Sequence, residues 1–177
     1  MPNEESHLDR TIRWMSHDVK ICMAHDAFVG AMTLMMSHIS ALAGYYAGRV
    51  KERPDNDHDE FMQFYRVYFK AFPDIQHTVK TRSGFKTMSL IYTHFRNGLI
   101  HEHLMKKGTA LDQGLSKPEF YLESQSGLIV LNVDHFFADY LRAIAEYSND
   151  VKFDRKPGIK QKFIDRSKYL GAGEPII

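Results

Sequence analysis

Apolar residues return at three- and four-residue intervals along most of the chain, the period of helices that bury one face. The first such run extends from Ser6 to about Ala24. Leu8, Ile12, Met15, Val19 and Cys22 form its stripe, and Ser6-His7-Leu8-Asp9 has the form of a helix cap. The second run, Ala27 to Gly48, is apolar on every side, and along it Ser37, Ala41, Gly44 and Gly48 form a line of small residues that lets another helix approach closely. Glu52 to Asp57 is a polar break containing Pro54. A third helix is predicted from about His58 to Ala71, with Phe61, Phe64, Tyr65, Tyr68 and Phe69 on its apolar side and Pro73 as its stop. A fourth is predicted from near Ser83 to Lys106-Lys107-Gly108, where basic residues followed by glycine suit a helix end.

The period then changes. Glu119 to Val133 alternates and is broken by the turn-like Gln125-Ser126-Gly127, which predicts a β-hairpin. Asp134 is the expected N-cap of a fifth helix, His135 to Tyr147, with Phe136, Phe137, Tyr140, Leu141 and Ile144 facing inward. Ile159 to Tyr169 is a weaker helical stretch with alternating charges. The expected fold is therefore all-α. It is one domain over residues 1–177, an antiparallel helical bundle of four to five helices with one small β-hairpin at about 119–133, and a weakly helical C-terminal extension over 150–177.

Composition narrows the function classes. A formal net charge of +1 gives no long-range attraction to nucleic acid or anionic lipid, so any RNA contact has to come from a local patch. The single Cys22 excludes an intrachain disulfide and fits a reducing cytoplasm; its apolar neighbours Ile21 and Met23 suit a buried, inert thiol. The polar, acidic opening MPNEESHLDR is unlike a signal peptide. Ala27 to Gly48 is long enough to span a membrane, but it carries His38 and several hydroxyl side chains, and the centre of a helical bundle demands the same all-round apolar surface.

The candidate chemistry lies in the fourth helix, in FRNGLIHEHLMKKG, Phe95 to Gly108. Met88, Ile91, Phe95 and Leu99 line its core side, whereas His94, Asn97 and His101 line a second face. On an α-helix Arg96 and His101 stand about 140° apart, so only a long guanidinium swinging round the axis brings them together. A histidine gives or takes a proton near neutral pH. An arginine offers a permanent charge and a planar fork to phosphate, and an asparagine orients an imidazole or a substrate oxygen. These types suit RNA cleavage without metal or cofactor, in which a base activates the ribose 2′-hydroxyl and an acid protonates the leaving oxygen. One helix supplies one such group, and a symmetric dimer supplies two.

Arg96-Asn97-Gly98-Leu99-Ile100-His101 resembles the R-x(4–6)-H signature, with a polar residue after the arginine, of the HEPN superfamily of nucleotide-binding domains. Ala41 to Tyr46 and the hairpin after the motif also resemble small bacterial HEPN-like proteins. The resemblance covers roughly residues 7–147. It implies a helical bundle, commonly a homodimer with the motif helices meeting at the interface. Many such proteins are RNases of toxin–antitoxin and phage-defence systems, and others only bind nucleotide, RNA or a protein partner such as an antitoxin. Carried over, Arg96 and His101 are catalytic and Asn97 supports them. By position alone, His94 on the same polar face and His103 and Lys106 just after the motif are candidate substrate contacts.

Structural roles compete for each residue. An arginine so central in a helix needs an anion in any case, either Glu102 or an acid on another helix. His101-Glu102-His103 is not a zinc motif, because residues two apart point to opposite sides of a helix. His94 and His101 are about 10 Å apart along the axis, too far for one ion, and Asp57-His58-Asp59 is the expected start of a helix, so no metal site is expected. The aromatic stripe of the third helix is expected in the core rather than stacked on bases. Arg49, Lys51 and Arg53 form a small basic cluster for which a solvated loop is the default.

Overall fold

A computed structural model of the chain describes residues 6–50, 57–72, 74–81, 84–102 and 106–171. The chain is mostly helical with two small sheets. Helix α1, His7–Ala24, is capped by Ser6, whose Oγ accepts from the Asp9 N–H at 3.0 Å. Leu8 and Val19 of its stripe are buried, and Ile12, Met15 and Cys22 pack against the same core.

Helix α2, Phe28–Ala47, occupies the centre. It touches α1, α3 (Asp57–Tyr68), α4 (Val133–Phe153) and α5 (Ile159–Tyr169), which is why its apolar residues run round the whole circumference. It is long and apolar enough to cross a membrane by length and composition, and half of its most apolar window is buried inside the fold. The small-residue line does admit a neighbour. At Gly44 an added Cβ would stand 3.8 Å from Arg166 Nε of α5, and at Gly48 only 2.9 Å from Lys162 Cγ. Gly48 also ends α2 with φ of +71°, a left-handed conformation that glycine adopts without strain. The expected aromatic stripe of α3 lies in the core. Phe61, Phe64, Tyr65, Tyr68 and Phe69 are all buried, which removes them as a stacking platform for bases.

The segment before the motif departs from expectation. Residues 84–89, expected in the first turns of the fourth helix, form instead a strand, β2 (Gly84–Ser89), antiparallel to β1 (Gln76–Thr81), in register from Gln76 opposite Ser89 to Thr81 opposite Gly84; Ser83, the expected start, lies outside the described residues. The cause is legible afterwards: Thr78, Val79, Thr81, Phe85 and Thr87 are strand formers, and the pair satisfies their backbone groups locally. The helix begins at Leu90 and is described as far as Glu102.

The second correction concerns the hairpin at 119–133. Its two strands do pair, β4 (Phe120–Leu122) against β5 (Ile129–Asn132), but β5 also pairs in parallel with β3 (Thr109–Asp112), giving a three-stranded sheet in the order β3-β5-β4. Helix α4 starts earlier than expected. Asn132, not Asp134, is its cap, its Oδ1 accepting from the N–H groups of Asp134 at 3.1 Å and His135 at 3.3 Å. The C-terminal stretch is part of the body: Ile159, Phe163 and Ser167 of α5 are buried.

Candidate functional site

The motif helix has unusual winding. Ile91–Arg96 (π1) and Gly98–Glu102 (π2) are π-helical, and the Asn97 N–H donates to the Tyr92 carbonyl five residues back. In such a helix residues five apart come into line along the axis, as residues four apart do in an α-helix. Arg96 and His101 are five apart. The wide turn thus removes most of the angular separation expected of them, and Arg96 Nη1 lies 3.0 Å from His101 Nε2. Ile91, Phe95 and Leu99 are buried as expected and lock the opposite side of the helix in the core.

Arg96 is itself buried, and each of its nitrogens is engaged. Nε donates to Ser40 Oγ of α2 at 3.2 Å, and Nη1 to Asn97 Oδ1 at 2.8 Å as well as to His101. Nη2 is paired with Asp57 Oδ2, at the first residue of α3. The guanidinium also lies over the Tyr92 ring, 5.0 Å from its centroid. The second hydrogen of Nη2 has no partner among the described residues.

Asp57 gathers three donors. Its Oδ2 takes the Tyr92 hydroxyl at 3.0 Å besides Arg96, and its Oδ1 takes Arg49 Nη2 at 3.4 Å. Arg49 is held in turn by Glu60, its Nε donating to Oε2 at 2.6 Å. Two arginines and two carboxylates thus make a formally neutral cluster behind the motif. Burial, offset in part by Arg96 and reinforced by Asp57, pushes the Tyr92 phenol up to about 12, so it stays a neutral donor. In front of this cluster His101 is exposed and Asn97 half-buried. Arginine only donates, so Nε2 of His101 is the acceptor of the 3.0 Å bond and the neutral ring carries its proton on Nδ1.

Of the expected site residues, Arg96, Asn97 and His101 come together. His94 does not join them. Its Nδ1 lies 2.9 Å from Thr93 Oγ1, and its ring meets that of His77 with centroids 4.7 Å apart. Thr93 gives its own proton to the Ser89 carbonyl, so His94 and His77 (Nε2 at 2.6 Å) both donate to it. Burial, then the charges of His77 and Lys106, hold His94 below the ordinary histidine range. Lys106 pairs with Glu102 at 3.4 Å. His103 lies outside the described residues, as do Lys51 and Arg53.

Sequence reasoning missed Asp57, Ser40 and Tyr92 as partners of the motif, and it left Arg49 to a solvated loop, whereas Arg49 pairs with Glu60 and Asp57 behind the site. One clue existed: a central arginine requires an anion, and the acid-dense start of α3 offered one. Two cavities of about 260 Å3 lie elsewhere, one bordered by Phe28, Leu111 and Val133, the other by Ile75, Phe120 and Ile129, and no motif residue lines either. Among the described residues, no group of three or more His, Cys, Asp or Glu side chains is placed to hold a metal ion. Comparison of the chain with models of protein families, with curated proteins and with solved structures found no match.

Proposed function

We propose that the chain is a HEPN-like, metal-independent endoribonuclease, an antiparallel helical bundle that works as a cytoplasmic homodimer in a toxin or phage-defence role. The observation that carries this reading is the 3.0 Å contact of Arg96 Nη1 with His101 Nε2, beside an imidazole open to solvent. A proton-transfer group and a permanent cation stand together there. One imidazole takes the proton of a ribose 2′-hydroxyl, and the 2′ oxygen attacks the adjacent phosphorus. The P–O5′ bond breaks as a second imidazole, from the other copy, protonates the leaving oxygen. The products are a 2′,3′-cyclic phosphate and a 5′-hydroxyl. Arg96 meets the phosphate through its remaining Nη2 hydrogen and by exchanging His101 for a phosphate oxygen at Nη1. That exchange frees the Nε2 lone pair to act as base.

A second reading draws on a different observation, the pairing of Arg96 with Asp57. A guanidinium already satisfied by a carboxylate suits a face that binds nucleotide, RNA or a protein partner, such as an antitoxin, without chemistry. Replacement separates the two. His101→Ala and Arg96→Ala are each expected to abolish metal-free cleavage of RNA while the circular dichroism stays that of the parent. Cleavage at the parental rate by both variants rules out the nuclease. RNA binding by the parent without cleavage, at any pH from acid to alkaline, establishes the binding module.

A further inference from the structure

The hydrogen bond from Arg96 to His101 depends on where the guanidinium is held. Its contacts to Ser40 Oγ and Asn97 Oδ1 are to neutral oxygens, and Ser40 gives its own proton to the Met36 carbonyl at 3.0 Å. Among the described residues, Asp57 is the one anion that pairs with Arg96. That carboxylate is in turn braced from two other elements, by Tyr92 of π1 and by Arg49 at the end of α2. The Arg49 guanidinium is anchored on Glu60. The chain Glu60–Arg49–Asp57–Arg96–His101 therefore runs without a break from the first turn of α3 to the exposed imidazole. At its end, Nδ1 of His101 has no hydrogen-bond partner among the described residues.

We propose that Asp57 is a positioning residue of this site: through Arg96 it keeps the His101 proton on Nδ1, so that Nε2 is bare when a phosphate oxygen displaces it from Arg96. An imidazole in water prefers the opposite tautomer, with the proton on Nε2. Holding it otherwise requires a donor fixed against Nε2, and Arg96 is that donor. Asp57 bonds to Arg96, Tyr92 and Arg49 and not to the imidazole; it acts by denying the guanidinium other orientations. The assignment of His101 as a ligand contact rests on the reading proposed above, whereas the tautomer and its dependence on Asp57 do not.

The test is imidazole nitrogen NMR on the full chain labelled with 15N, at a pH where the rings are neutral. In the parent, His101 is expected to show Nδ1 protonated and Nε2 bare. In Asp57→Asn, which keeps the shape and removes the charge, the signals are expected to shift toward the Nε2–H form. Tyr92→Phe, which leaves the Arg96–Asp57 pair in place, is expected to keep the parental pattern. An Nε2–H signal in the parent overturns the proposal, and this measurement decides alone should the variant fail to fold. An unchanged pattern in folded Asp57→Asn overturns it equally. A short RNA oligonucleotide supplies the second arm, in which Asp57→Asn is expected to lose about tenfold or more in kcat with less change in KM. A tautomer shift as expected, with no cleavage even by the parent, upholds the role of Asp57 and removes the nuclease reading.

Discussion

Arg96 shows how one side chain imposes conditions on residues far from it in sequence. With its side chain only 11% exposed, a permanent cation cannot remain without an anion, and Asp57, thirty-nine positions earlier, supplies it. Asp57→Ala leaves Arg96 without its anion and Arg49 with one fewer. The expected loss is about 3 kcal/mol, the lower end of the range for breaking a buried pair, because the Asp57 side chain is itself 24% exposed. Urea denaturation measures it. A loss under about 0.5 kcal/mol would mark the pair as an ordinary surface contact. The residue types Arg96, Asn97 and His101 were legible as a constellation because they are neighbours in sequence. Asp57 was not, since its own surroundings mark it only as a good helix-start residue, and nothing local aims it at the motif.

At the scale of elements, long periodic helices were legible and short switches between winding types were not. The fourth helix was expected from near Ser83, yet Gly84–Ser89 pairs as a strand with Gln76–Thr81 and the helix that follows is π-wound. Period analysis assumes 3.6 residues per turn, so it separated Arg96 from His101 and grouped His94 with His101. The π turn reverses the first assignment, and His94 bonds to Thr93 beside His77. A similar shift places the cap of α4 on Asn132, whose side chain also donates from Nδ2 to the Gly114 carbonyl at 2.8 Å. Asn132→Ala removes both the cap and that tie, and Asn132 is fully buried. The expected cost is about 2 kcal/mol in chemical denaturation, at the top of the range for caps. A cost of a few tenths would assign the cap elsewhere.

At the scale of the whole molecule, α2 organises the packing and α5 completes it. Phe163 of α5 is fully buried and stacks on Tyr45 of α2 with centroids 4.8 Å apart. Phe163→Ala should therefore cost roughly 3–5 kcal/mol, a large share of a domain's total stability. Thermal and urea unfolding read this directly, and a near-neutral result would mean that α5 is dispensable. The same packing predicts a pH response. Burial holds His7, His38 and His94 below the ordinary histidine value of 6.5, and His38 Nδ1 lies 2.8 Å from the Tyr140 hydroxyl. The folded state favours these rings neutral, whereas the unfolded chain protonates them freely below that value. Stability is then complete above the unfolded value and declines as the pH falls toward the folded ones. The urea midpoint should drop between about pH 7.5 and pH 5.5, and a flat profile across that window would contradict the burial of these rings.

By itself the sequence determined the long periodic helices, which apolar stripes turn inward, that α2 must be surrounded, and that an arginine, an asparagine and a histidine share one segment. Each of these follows from local composition and period, which any short window of chain carries. Only the tertiary structure decided that the motif helix winds wide enough to stack Arg96 on His101, that β3 joins β5 in parallel, and that Asp57 and Arg49 stand behind the site. Those outcomes come from contacts between distant segments, where a buried charge or an unpaired strand edge selects its partner by energy rather than by nearness along the chain.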